Sequence, residues 1–203
     1  MEYLLLGFIT GLSLILAIGA QNIFVIEQGL KKQHIFLVCL VCSLSDLILI
    51  FLGIFLFHYF IQYFNSIIEL ALNILLIIFL LHFIYSKIKI YNSSVKLNNQ
   101  SQDISKLNIL LKTLGFTYLN PHVYSDTVFF LGNISKNFLI NEKINFGLGA
   151  AIASFLFFFL IGYLSKYFSK FAENDKVWKI INTFIIIFMS LLTILIILDT
   201  FIS

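Results

Sequence analysis

Two carboxylates stand where a carboxylate is costly. Asp46 lies in VCSLSDLILIFLG (41–53) and Asp126 in LNPHVYSDTVFFLG (119–132), both among almost wholly apolar neighbours. Asp46 comes about eleven residues into its apolar run, roughly 16 Å along a helix axis at about 1.5 Å per residue. A charged side chain at mid-bilayer costs about 2.5–3.5 kcal/mol even on a lenient insertion scale, so such a group persists where it is partnered, protonated or used. His122 and Asp126 are spaced i, i+4 and share one helix face within hydrogen-bonding reach; Ser43 and Asp46, at i, i+3, share another. Pro121, the chain's only proline, removes a backbone donor and must kink or break its helix. In lipid the freed carbonyls need other partners, such as cavity water or a bound ammonium group, and Asn120 and His122 flank the break. In the first apolar run, Gly19 and Gly29 loosen the helix while Gln21 and Asn22 offer amide donors and acceptors. A polar interruption in each of two apolar runs is the sequence pointer to a solute site near the midplane. The plainer reading of each feature is an interhelical hydrogen bond or a packing kink.

Other chemistries have less support. Cys39 and Cys42 form a CxxC, which would suit a membrane thiol-disulfide relay. A relay needs a further thiol on another helix, and the chain has no third cysteine, so both read as small apolar residues. No Cys/His/carboxylate set has metal-ligand spacing. Phosphate loops, dinucleotide fingerprints and nucleophile elbows are absent from the sequence. The expectation is a protein that is not an enzyme and takes no cofactor. Glu69 and Asn73 share a face, with Glu69 near a span end and wetted; His58 and His82 read as interfacial.

The elements that must position these groups are membrane helices. Hydrophobic residues make up 60% of the 203, only 11% are charged, and mean hydropathy is +1.00. A soluble domain carries about a quarter charged residues, so too little polar surface exists here to cover a globule in water. Six runs reach the roughly 17–25 apolar residues that a spanning helix needs: 3–24, 35–59, 67–85, 109–131, 146–164 and 180–202. Without strand alternation they read as helices and not as a barrel. The first run resembles a signal peptide, but its leading residues Met1-Glu2 carry no positive charge, and it is read as a retained helix. The expected fold is therefore all-α and polytopic, with six transmembrane helices in two three-helix repeats. These occupy 1–85 and 109–203, joined by a polar cytoplasmic loop at 86–108. Three helices per half force the halves into opposite orientations, the arrangement of inverted-repeat transporters.

All thirteen basic residues are lysine, and all but Lys136 and Lys143 fall in the loops after the first, third and fifth spans. The positive-inside rule then places both termini outside and the long loop in the cytoplasm. Tyr59, Tyr63, Tyr85, Tyr163, Tyr167 and Trp178 lie near span ends, where aromatic belts form. With a net charge of only +3 and its lysines in loops, the chain offers no nucleic-acid patch; its partners are the lipid bilayer, a small solute and, compatibly, further copies of itself.

GAQNIFVIEQGL (19–30), CSLSDLILIFLGIF (42–55) and LNPHVYSDTVFFLG (119–132) resemble the LysE/ArgO family of basic amino-acid exporters. The likeness extends across the chain to KIINTFIIIFMSLLTILIILD (179–199), and the Asn-Pro-His stretch followed by Asp126 is its most specific part. Two positions depart from the family pattern: Ala20 stands where proline is usual, and Glu27 where a basic or neutral residue is common. The resemblance implies a bacterial inner-membrane exporter of L-lysine, L-arginine or both, driven by proton antiport.

The residues suit that role. Asp46 and Asp126 would meet the substrate's positive groups, with His122 tuning Asp126. Gln21, Asn22 and a helix N-terminus at a break would hold the carboxylate, with Asn120 and His122 completing the substrate site at the proline break. Gly19 and Pro121 would break the helices. Moving one positive charge outward costs about 2.3 kcal/mol per 100 mV of inside-negative potential, so uniport favours uptake, whereas proton exchange cancels the charge. An aspartate alternating between protonated and substrate-paired states, Asp46 or Asp126, is the simplest coupling element. Alternatives on the same scaffold are a neutral amino acid or a divalent metal cation.

Overall fold

A computed structural model describes residues 1–16, 19–63, 66–92, 105–172 and 174–201, the side chains of 58–63, 90–92 and 175 excepted. It is all-helical among the described residues. The helices are α1 (Glu2–Ile15), α2 (Ala20–Leu30), α3 (Ile35–Tyr63), α4 (Ser66–Asn92), α5 (Lys106–Tyr118), α6 (Pro121–Tyr124), a π-helical segment (Ser125–Phe130), α7 (Leu131–Ser135), α8 (Ile140–Tyr167), α9 (Ser169–Ala172) and α10 (Asp175–Phe201). Four stretches are long and apolar enough to cross a membrane: Ile35–Phe57, Ser66–Lys89, Ile140–Tyr167 and Lys176–Phe201. The pair α1 and α2, bent by 82°, makes a fifth if taken as one broken span. Large side chains such as Ile67, Leu160 and Ile180 are exposed around these helices, a surface that lipid covers and water would not tolerate.

The expected span 109–131 is not one helix. α5 ends at Tyr118, Asn120 takes an extended backbone, and α6 starts afresh with Pro121 in its first turn. Proline is favoured there because its missing N–H would have had no partner anyway. Pro121 therefore starts a helix instead of kinking one. The polar 86–108 stretch also differs from expectation at its start, since α4 runs on to Asn92; positions 93–104 lie outside the described residues.

Glycines set how closely the helices approach. A Cβ on Gly11 of α1 would lie 2.8 Å from the Ala150 Cα of α8. One on Gly53 of α3 would lie 2.5 Å from the Val128 Cα of the π segment. Backbone contact at these crossings replaces the side-chain interdigitation of a water-soluble core. α1 and α2 pack on α8, while the π segment and α7 pack on α3. α3 also packs on α8, and α4 on α10. The broken pair α1–α2 of the first half thus packs on α8 of the second, and the π segment and α7 of the second half pack on α3 of the first.

Candidate functional site

The two breaks face one another across a single cavity of about 650 Å³. That is within the range of roughly 300–1,000 Å³ usual for small-molecule sites. Gln21, Asn22, Asp46, Asn120, His122 and Asp126 all line it, as does Gly19. Six residues on four elements, chosen for their polarity in apolar surroundings, thus converge on one space.

In the first break Gly19 caps α2 with extended backbone (φ −113°, ψ −178°), a conformation open to any residue. A Cβ there would meet nothing within 4 Å. Helix 1 is thus broken without the proline that Ala20 replaces. Gly19 has no side chain with which to cap α2, and the positive end of the α2 dipole lies at the break. Asn22 braces the break: its Nδ2 donates to the Ile15 carbonyl across it at 3.1 Å. Gln21 is buried, and its Nε2 has no hydrogen-bond partner among the described residues. Gly29, expected to loosen this helix, sits inside α2 and packs against α8 at the Gly162 carbonyl and Ser165 Cβ, its lack of a side chain allowing the approach.

The second break is built alike. Asn120 accepts from the His122 N–H at 3.1 Å and caps α6. Tyr124 Oη donates 2.9 Å back to the Tyr118 carbonyl at the end of α5. Protein side chains thus answer carbonyls that the sequence would assign to water or a substrate ammonium. His122 is exposed and Asp126 intermediate, both on the cavity wall, with no hydrogen bond joining them among the described residues. The hydrogen bond that i, i+4 spacing would allow is not made where the helix widens into a π turn at Ser125, although the two groups stay within electrostatic reach.

Asp46 is the most enclosed acid of the cavity, 5% exposed. Its Oδ2 accepts from Ser154 Oγ of α8 at 2.7 Å. Ser43, on its own helix, bonds the Cys39 carbonyl instead. The hydroxyl partner comes from 108 residues away. Asn73 of α4, 6% exposed, and Asp199 of α10 also line the cavity. The sequence carried a signal for each, a polar residue inside an apolar helix: Asn73 shares a face with Glu69, and Asp199 closes the apolar run 179–199. Glu69 is exposed and away from the cavity. Cys39 and Cys42 are free and fully buried, and Cys39 Sγ donates to the Phe158 carbonyl at 3.2 Å.

Asp46 and Asp126 with the side-chain amides and the N-terminus of α2 give the cavity both acceptors for a cation and donors for an anion. Comparison with known proteins bears on its setting. The family of the LysE type translocator matches residues 12–200. The arginine exporter protein ArgO of Pectobacterium atrosepticum is 33% identical over 183 residues, 88% of each chain. Its namesake from Salmonella typhimurium is 33% identical over 201 residues, covering 94% of this chain and 91% of that protein. No solved structure matches. With a multi-helix membrane fold, a polar cavity between two helix breaks and a match over nearly its whole length, the chain belongs to the LysE family of translocators.

Proposed function

We propose that the protein exports basic amino acids from the bacterial cytoplasm, arginine first and lysine second. The carrying observation is the meeting of Asp46 and Asp126 with the N-terminus of α2 in one cavity. Arginine and lysine each present an α-carboxylate, an α-ammonium and a distal cation. Gln21 Nε2 and the positive end of the α2 dipole draw the carboxylate, while the two aspartates supply acceptors for the cations. The two relatives are named as arginine exporters, which supports placing arginine ahead of lysine. Among the described residues no group of three or more His, Cys, Asp or Glu side chains gathers as metal ligands, which favours the amino-acid cation over a divalent metal.

Coupling follows from charge. Export of a monocation against an inside-negative potential costs about 2.3 kcal/mol per 100 mV, which counter-movement of a proton offsets. Asp46 and Asp126 are the groups that exchange a proton for substrate. Both termini face outward, and the matched helix pairings of the two halves arise from an inverted repeat of six spans, with the broken α5–α7 stretch as the fourth.

The test is purified protein in liposomes preloaded with labelled arginine. Efflux should quicken several-fold under an imposed pH gradient that drives protons the opposite way, and unlabelled lysine should compete. Arginine efflux no faster than from empty liposomes refutes the substrate; efflux indifferent to the pH gradient refutes the coupling.

A further inference from the structure

The cavity-lining His122 and Asp199 are exposed, whereas toward the lysine-rich end the helices that line the cavity meet in a barrier. On α4 the cavity-lining residues Asn73, Leu76 and Leu80 continue in the same 3–4 spacing through Phe83 to Lys87, one helix face carrying on toward the lysine-rich end. On α2 the face that begins at Ala20 continues through Phe24 to Glu27 and Lys31. Below the cavity Phe24 stacks on Phe116 of α5 with centroids 4.8 Å apart, and Phe83 meets the same ring edge-on at 5.1 Å. All three rings are buried.

One turn further, Glu27 is 1% exposed and its Oε1 takes both the Lys31 and Lys87 ammonium groups. Lys87 also lies 3.5 Å from the Asn182 Oδ1 of α10 and over the Phe83 ring. Four elements, α2, α4, α5 and α10, are thus drawn together at a layer of rings backed by a layer of charge. None of these residues touches the cavity.

The charge layer is poorly suited to permanent packing. Two ammonium groups share one carboxylate oxygen, while Glu27 Oε2 and the neighbouring Gln28 Oε1 are buried with no partner among the described residues. A half-satisfied buried network costs more than an apolar one of the same shape, so sequence economy would replace it unless it must open. An ion pair between helices from different halves or different spans gives two discrete arrangements, paired and parted, which is what a gate requires.

We propose that Glu27 and Lys87 form the latch of a gate at the lysine-rich end, with Phe24, Phe83 and Phe116 as its plug, closed in the present structure. The inference rests on the reading of the protein as a carrier, yet it concerns access to the cavity and not which solute enters it. Alternating access then requires Lys87 to leave Glu27 and the α4 face to part from α2.

The test reads access directly. In a chain with Cys39→Ala and Cys42→Ala, a reporter Thr127→Cys on the cavity wall is exposed to a membrane-impermeant maleimide in right-side-out and in inverted vesicles. A separate Lys170→Cys chain, exposed in the structure, identifies which vesicles present the lysine-rich end. With Glu27 and Lys87 intact, labelling from that end should be slow and labelling from the other end fast. Glu27→Gln and Lys87→Met should each raise the slow rate about tenfold or more, as loss of a buried pair implies, while Lys87→Arg should not. The double variant should match Glu27→Gln, since that substitution already removes the Lys87 contact. Fast labelling from the lysine-rich end with the pair intact overturns the proposal. So do slow rates unchanged in both single variants present in the membrane at normal amount. Leu192→Cys serves as a second reporter, and the two-sided comparison with Glu27 and Lys87 intact decides the matter even where a latch variant fails to insert. Labelling needs no substrate, so failure of the gate and failure of arginine export are read separately.

Discussion

Asp46→Asn is the perturbation that weighs the proposed site most directly. Asparagine matches aspartate in shape and keeps an oxygen to accept from Ser154, so the packing of α3 on α8 is retained while the charge is lost. The cost depends on surroundings. Two unit charges about 4 Å apart interact by about 4 kcal/mol at an effective dielectric constant near 20 and about 1 kcal/mol in bulk water. Asp46, at 5% exposure, sits toward the first figure, whereas Asp126, half-open to the cavity, sits between the two. Part of the pairing is offset by desolvating the substrate, and truncating one partner of a buried charge pair costs about 2–5 kcal/mol in measured cases. Arginine affinity should therefore fall about a hundredfold or more in Asp46→Asn and about tenfold in Asp126→Asn. Equilibrium binding of labelled arginine to detergent-purified protein, with elution profile as the folding control, reads both values. Citrulline, which replaces the guanidinium with a neutral group of similar shape, refines the result. If Asp46 meets the guanidinium, the substitution leaves citrulline binding unchanged; if it meets the α-ammonium, both ligands weaken alike. Arginine affinity within threefold of the unsubstituted protein in Asp46→Asn would refute the pairing.

Further expectations follow from the same geometry. Gly149→Val places side-chain atoms against the Leu4 carbonyl and Phe8 of α1, so thermal stability in detergent should drop by about 1–3 kcal/mol or the fold should fail. Gly19→Ala should leave stability within about 0.5 kcal/mol, since its Cβ meets nothing within 4 Å. Replacing both Cys39 and Cys42 with alanine should leave most arginine efflux intact; abolition, with the protein correctly inserted, would restore the thiol-relay reading. Asn120→Ala removes the cap of α6 and should cost about 0.5–2 kcal/mol of stability, measured by the same melting assay.

Much of the site was legible because lipid makes polarity conspicuous. Asp46, Asp126, Gln21, Asn22 and Asn120 stand out against Leu, Ile and Phe, and cost alone marks them. Their partners were less legible. Ser154 is a small hydroxyl in AIASFLFFF (151–159), where nothing local links it to Asp46. His122 and Asp126 lack a hydrogen bond for a different reason: ideal i, i+4 stacking assumes an α-helix, and the π segment beginning at Ser125 changes that geometry. Glu27 was noticed only as a departure from the family pattern. Its role depends on Lys87, sixty residues on.

Composition and periodicity by themselves determined a helical membrane protein, the identity of most cavity-lining polar groups and the second helix break, because those follow from the cost of placing charge and unpaired backbone in hydrocarbon. The tertiary structure decided the rest. It brought the two breaks to one cavity, gave Asp46 its hydroxyl, broke the first helix at Gly19 without a proline and joined Glu27 to Lys87. Such contacts depend on how closely whole helices approach, and that distance is set at glycine crossings such as Gly53 on Val128, where backbone meets backbone across long separations in sequence.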